Sequence, residues 1–157
     1  MRVDARLASQ PLSAQAELAT FIAGLGEEGA VVSFVGIARP RSLDGSPLAR
    51  LFLDHHPRLT ERSLTEIAAA AGARFAVSAV SVVHRCGEVL PGQPIVFAAA
   101  AARHRRAAFE AADYLMDRLK TDALFWKRED GIDGSIWIEP SDGDRSDRAR
   151  WSEKCPE

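Results

Sequence analysis

The chain has 157 residues, 46% of them hydrophobic and 27% charged, with a formal net charge of −2. That length suits one domain with a real hydrophobic core, and the near-neutral balance argues against a bulk affinity for nucleic acid or an anionic membrane. No apolar run approaches the ~20 residues of a membrane span, Met1 to Arg6 lack a signal core, and Cys86 and Cys155 form no CxxC pair; a reducing cytoplasm is the expected compartment.

A short strand is expected around Val3 to Leu7. Ser13 is a candidate N-cap for a helix to about Leu25, with Leu18, Phe21, Ile22 and Leu25 on one stripe and Gly24 and Gly26 at its end. Gly29 to Ala38 is a β-branched run with the look of a buried strand. The polar segment Arg39 to Pro47 is a loop, and Leu48 to His55 alternates back into a strand. Thr60 is a candidate N-cap for a second helix carrying Leu64, Ile67, Ala68 and Ala71. Val77 to Arg85 and Pro94 to Ala102 read as neighbouring strands. A third helix runs from about His104 to Leu119, and the spacing of Phe109, Ala112, Met116 and Leu119 predicts its core face. A last strand pair spans Leu124 to Glu129 and Ile136 to Glu139. The expectation is an α+β domain over residues 1–140 with about three helices and an antiparallel or mixed sheet, followed by a mobile tail over 141–157.

Two features suggest chemistry. Arg103-His104-Arg105-Arg106 stands where a strand hands over to the third helix. Free backbone N–H groups and the helix dipole meet guanidiniums there, a combination suited to a phosphate or carboxylate. The alternative is a solvated basic turn. Lys120 and Lys127 flank the aromatic pair Phe125-Trp126 just after that helix. A lysine held by bulky aromatics can bind an anion, or act as a nucleophile or proton donor. Arg39 closes the Val35-Gly36-Ile37-Ala38 strand end, where it either leans into a cleft or sits on an exposed loop. His55 and His56 point to opposite faces and make a poor metal pair. Cys86 reads as a buried structural thiol. No phosphate loop, dinucleotide fingerprint or nucleophile elbow is present.

The same residues carry a family likeness. Gly29 to Gly36 with Arg39, His55 with Pro57, His84-Arg85-Cys86-Gly87-Glu88, His104-Arg105 with Ala108-Phe109-Glu110, and Leu119-Lys120 with Phe125-Trp126-Lys127-Arg128-Glu129 occur in order from about Gly29 to Glu139. This set resembles the catalytic (large) subunit of molybdopterin synthase. The resemblance implies an α/β hammerhead-type fold and a sulfurtransferase that converts cyclic pyranopterin monophosphate into molybdopterin. It also implies sulfur delivery as a thiocarboxylate on the C-terminal Gly-Gly of a ubiquitin-like small subunit. The implied assembly is a homodimer of large subunits within a heterotetramer, without metal or organic cofactor, nucleic acid or membrane. Carried over by motif, Lys120 and Lys127 are catalytic, Arg39, His104 and Arg105 bind the phosphorylated pterin, and Arg128 and Glu129 lie next to the site. Pro40, Arg58 and the Ile37-Ala38 pair depart from the family pattern, at positions other than these residues.

One consequence is geometric. Sixteen residues at ~1.5 Å each separate His104 from Lys120 by roughly 24 Å along one straight helix. A composite site is therefore expected, with the lysines from one subunit and His104 and Arg105 from its mate. An inactive paralogue that binds a phosphorylated ligand or the small subunit without chemistry is the alternative. A general nucleotide- or RNA-binding module is disfavoured by the acidic balance.

Overall fold

The computed structural model of the chain describes residues 1–152. An α+β architecture is observed, with two four-stranded sheets and, among the described residues, four helices. The first sheet has the order β1 (Arg2–Ala8), β4 (Ala79–Arg85), β6 (Pro94–Ala102), β2 (Ala30–Ile37). Its β1–β4 pair is parallel and its other pairs are antiparallel. The second sheet is antiparallel throughout, in the order β5 (Gly87–Val89), β3 (Leu48–His55), β7 (Phe125–Gly131), β8 (Gly134–Ile138). The chain crosses from the first sheet to the second at Cys86-Gly87, where Gly87 adopts a φ of 77°, a conformation that strains any side chain.

The core forms on both faces of the first sheet. Helices α2 (Pro57–Arg74) and α3 (Arg105–Thr121) cover one face, packing Leu64, Ile67 and Leu115 against Val80, Val82 and Ala98. Helix α1 (Ala14–Ala23), capped by Ser13 as expected, covers the other with Phe21 against Val83, Phe97 and Ala99. The run Ala98 to Ala102 is buried throughout. Alanine is a poor strand former, but a central strand covered on two sides carries continuous apolar sequence. At Gly36 an added Cβ would lie 2.8 Å from a Val96 methyl, so glycine permits the close approach of β2 to β6. Among the described residues no helix is long and apolar enough to cross a membrane.

Three local expectations are corrected. Helix α2 begins at Pro57, one turn before Thr60, and its cap is His56, whose Nδ1 accepts from the Leu59 N–H at 3.2 Å. Proline suits the first helical position, and the imidazole nitrogen replaces the usual cap oxygen. Thr60 is instead fully buried. Its Oγ1 accepts from the His56 N–H at 2.9 Å and donates to the Leu124 carbonyl at 2.7 Å. The Ser63 hydroxyl completes the clamp by accepting from the Leu124 N–H at 3.2 Å.

The core face of α3 is rotated by one residue from the expected stripe. Ala108, Ala111, Ala112, Leu115 and Leu119 are buried, whereas Phe109 is 57% exposed. Small residues turn inward because α3 packs on the alanine-rich strand β6.

Residues 142–149, expected within a mobile tail, form helix α4 (Asp142–Ala149). Ser141 and Asp144 make a reciprocal capping box at its start. The helix buries no residue and is held to α3 by charge. Arg148 pairs with Asp122 at 2.9 Å and Arg150 with Asp117 at 2.7 Å. The Trp151 indole donates to Asp117 at 2.6 Å, and its ring stands edge-on to Phe75 and Tyr114. Residues 153–157, the end of the expected tail and including Cys155, lie outside the described residues.

Two predictions follow from these contacts. Thr60→Val leaves two part-buried backbone groups without their partner and is expected to lower the unfolding free energy in urea by about 1–3 kcal/mol. Thr65→Val, on the exposed side of α2, should change it by less than about 1 kcal/mol. Asp117→Ala removes the shared acceptor of Arg150 and Trp151. Amide hydrogen exchange across residues 142–149 should then accelerate while global stability changes by less than about 1 kcal/mol.

Candidate active site

The Thr60–Ser63 clamp satisfies both backbone groups of Leu124 from buried side chains of α2, and so fixes the chain at the point where α3 hands over to β7. From there strand alternation decides the rest. Phe125 pairs with His55, Lys127 with Leu53 and Glu129 with Leu51. Leu51 and Leu53 are buried with Ala38 and Val89, so Lys127 and Glu129 project to the inner face of the second sheet. Trp126, Arg128 and Asp130 project to the outer face.

The inner face assembles four of the expected residues. Lys120, in the last turn of α3, benefits there from the negative end of the helix dipole. Lys127 is half-buried, and burial is the main cause that pushes its pKa below the ordinary lysine value. The positive charges of Lys120 and Arg39 push it further down, while Glu129 opposes them. Lys120, Lys127, Arg39 and Glu129 of a single chain thus share one electrostatic neighbourhood. Among the described residues, none of the Lys120, Lys127 and Arg39 side chains has a hydrogen bond or ion pair within the protein. Two uncommitted cations beside one partly desolvated amine can receive an anion and exchange a proton with it.

His84 supports this wall. Its ring stacks on Phe125, with centroids 4.1 Å apart and planes at 25°. Its Nδ1–H donates to the Arg85 carbonyl at 2.8 Å. Burial pushes its pKa down to about 4 against that hydrogen bond, with help from Lys120. It is a neutral structural group at pH 7. The Cys86 thiol is likewise buried, and burial pushes its pKa up.

Arg128 is not brought to the lysines. It lies on the outer face, bonded to Asp130 at 2.6 and 3.0 Å. Its guanidinium covers the Phe52 ring at 4.7 Å and the Trp137 ring at 5.4 Å. Its adjacency to Lys127 in sequence places it on the opposite side of the sheet. His104 and Arg105 are exposed at the start of α3, with His104 as the N-cap making no side-chain cap bond. They stand a helix length away from Lys120 of the same chain.

One neighbour was not among the sequence candidates. Asp144, in the first turn of α4, has its pKa lowered by bonds from Ser141 and by the charges of Lys120 and Lys127, which outweigh burial, the largest single cause. Arg148, one turn further on, ties the same side of α4 to Asp122, two residues beyond Lys120. The capping-box spacing Ser141 to Asp144 was the available signal; the helix placement was not readable. Arg145, Arg148 and Arg150, the basic residues of this segment, are all paired with acids.

The family model described as MoaE protein matches residues 7–122. A molybdopterin synthase catalytic subunit from Caulobacter vibrioides is 48% identical over 149 residues, covering 95% of this chain and 97% of the relative. Among solved structures, the molybdopterin biosynthesis MoaE protein from Burkholderia ambifaria superposes with a TM-score of 0.79 at 37% identity, covering 98% of this chain and 99% of that one. A complex of subunits 1 and 2 of molybdopterin-converting factor from Helicobacter pylori shares the fold, with a TM-score of 0.70 at 21% identity over 85% of this chain and 88% of that one. With well over half of its length matched and a near-full-length relative at close to half identity, the chain belongs to the MoaE family, that of the molybdopterin synthase catalytic subunits.

Proposed function

We propose that this chain is the catalytic subunit of a molybdopterin synthase, an enzyme of molybdenum cofactor biosynthesis acting in the cytoplasm. It converts cyclic pyranopterin monophosphate into molybdopterin with sulfur from the C-terminal Gly-Gly thiocarboxylate of a ubiquitin-like small subunit. The observation that carries this reading is the half-buried Lys127 amine, with its lowered pKa, beside the uncommitted Lys120 and Arg39.

The roles follow from that geometry. Lys127 is the group whose proton is most easily removed, and it serves as nucleophile or proton carrier at the thiocarboxylate carbon. Lys120, exposed and at a helix C-terminus, holds the anionic tail and the intermediates. Arg39 takes the pterin phosphate from the same chain. Glu129 opposes the positive field at Lys127 and limits how far its pKa falls. Arg128 acts at one remove, by anchoring the outer face of β7 through Asp130, and touches no substrate.

His104 and Arg105 complete the phosphate site from the second subunit of a homodimer. Arg105 lies fifteen residues before Lys120, roughly 22 Å along α3, and its side chain has no partner among the described residues of its own chain. A two-fold dimer that brings each helix start to the other chain's lysines satisfies both facts. A small subunit at each end makes the heterotetramer.

In reconstitution with a thiocarboxylated small subunit and cyclic pterin, Lys120→Ala and Lys127→Ala should each lower dithiolene formation by about 10²-fold or more. Unchanged turnover in either variant would refute its role, and binding of the small subunit without any turnover by the wild type would identify a non-catalytic relative. The composite site has its own test. Mixing Lys127→Ala dimers with Arg105→Ala dimers yields heterodimers with one intact site, and the mixture should recover up to about a quarter of wild-type activity. Sites formed within single chains predict no recovery.

A further inference from the structure

Helix α4 is fixed at both of its ends close to the two lysines. At its start, β8 ends at Ile138, the register partner of Lys127, and the cap Ser141 follows three residues later. At its far end, Arg148 bonds to Asp122 at 2.9 Å, while Arg150 and the Trp151 indole bond to Asp117 at 2.7 and 2.6 Å. Later residues of this segment thus meet earlier residues of α3, so the two helices run antiparallel. Followed back from Arg148, α4 passes the end of α3 and heads for the start of β7.

Asp144 is the side chain that this path delivers. It precedes Arg148 by four residues, about 6 Å along the axis, and shares its face of the helix. Those two are the part-buried residues of α4, and the rest of the helix is exposed. Oδ2 of Asp144 accepts from the Ser141 N–H at 2.8 Å and from the Ser141 hydroxyl at 2.9 Å, while Oδ1 has no hydrogen bond among the described residues. Nor does Asp144 form an ion pair among them. Its charge nevertheless acts to raise the pKa of Lys127, as the charges of Lys120 and Lys127 act to lower its own. The charged groups that face Lys127 are then Lys120 from α3, Glu129 from its own strand, Arg39 from the loop after β2, and Asp144 from α4.

We propose that Asp144 is a positioning residue of the lysine site, a built-in counterion that α4 holds beside Lys120 and Lys127 and that competes with an incoming anion. This role rests on the reading of the two lysines as an anion site and adds what sets its selectivity. A small monovalent anion has only the lysines to offset repulsion by Asp144. A ligand that also engages Arg39 or a partner surface has further contacts with which to overcome it. Because no direct ion pair closes the gap, the anion enters without unfolding α4.

The test follows the ε-amino resonances of Lys120 and Lys127 by NMR in the full-length chain, during acetate addition at constant ionic strength and during a pH titration. Wild type is compared with Asp144→Asn, whose amide oxygen still accepts from the Ser141 N–H, and with Asp142→Asn. Asp142 is fully exposed in the same helical turn, so its variant makes the same change in net charge and at the helix N-terminus. Asp144→Asn should bind acetate roughly threefold to tenfold more tightly. Its Lys127 should titrate at lower pH than in wild type, because the carboxylate favours the protonated amine. Asp142→Asn should match wild type in both respects. An Asp144→Asn protein indistinguishable from wild type, or an Asp142→Asn protein showing the same two changes, overturns the proposal. Equal acetate binding by all three proteins removes the role of Asp144 and leaves the lysine site standing. Acetate that moves neither lysine in any of them removes both.

Discussion

The site depends on one doubly anchored residue. Leu124 has its carbonyl held by Thr60 and its N–H by Ser63, both from the first turns of α2. Each bond is worth only about 1 kcal/mol net, yet leaving either group unpaired costs about 1–3 kcal/mol, so slippage is opposed twice. A slip of one residue in β7 would reverse every side chain, turning Arg128 inward and Lys127 out. The clamp thus decides which cation reaches the inner face. The stack of Phe125 on His84 reinforces it from the first sheet.

With the register set, electrostatics separates working cations from structural ones. Arg50, Arg118, Arg128, Arg148 and Arg150 are all matched to carboxylates. Lys120, Lys127 and Arg39 are not, although they share a neighbourhood. Like charges gathered without counterions are unfavourable unless an anion arrives, and the proposed substrates are both anionic. Asp144 adds its negative charge to that of Glu129 nearby, from a helix that is anchored by surface ion pairs worth little individually.

Much of this was legible in the chain. Glycine, proline and β-branched runs delimit the strands, and the Lys120–Lys127 segment stands out by its aromatic wedge. Alternation in β7 also puts Lys127 and Arg128 on opposite faces, although motif adjacency groups them together. Other features left no local signal. Thr60 resembles a cap, and its true partner lies sixty-four residues away. Phe109 fits a helical stripe, but alanines pack more closely on β6 and win the inner face. Helix α4 reads as a polar tail because its anchors are acids on α3, about thirty residues distant.

The central claim is that Lys127 is the reactive amine because burial and two neighbouring cations weaken its hold on a proton. The most direct measurement is an NMR titration of the Lys127 ε-amino group in the wild type and in Lys120→Gln. The account predicts a pKa below the ordinary lysine value of 10.5. It also predicts an upward move in the variant, because removing a like charge makes the protonated form less unfavourable. An ordinary value in the wild type, unchanged by the substitution, would contradict it.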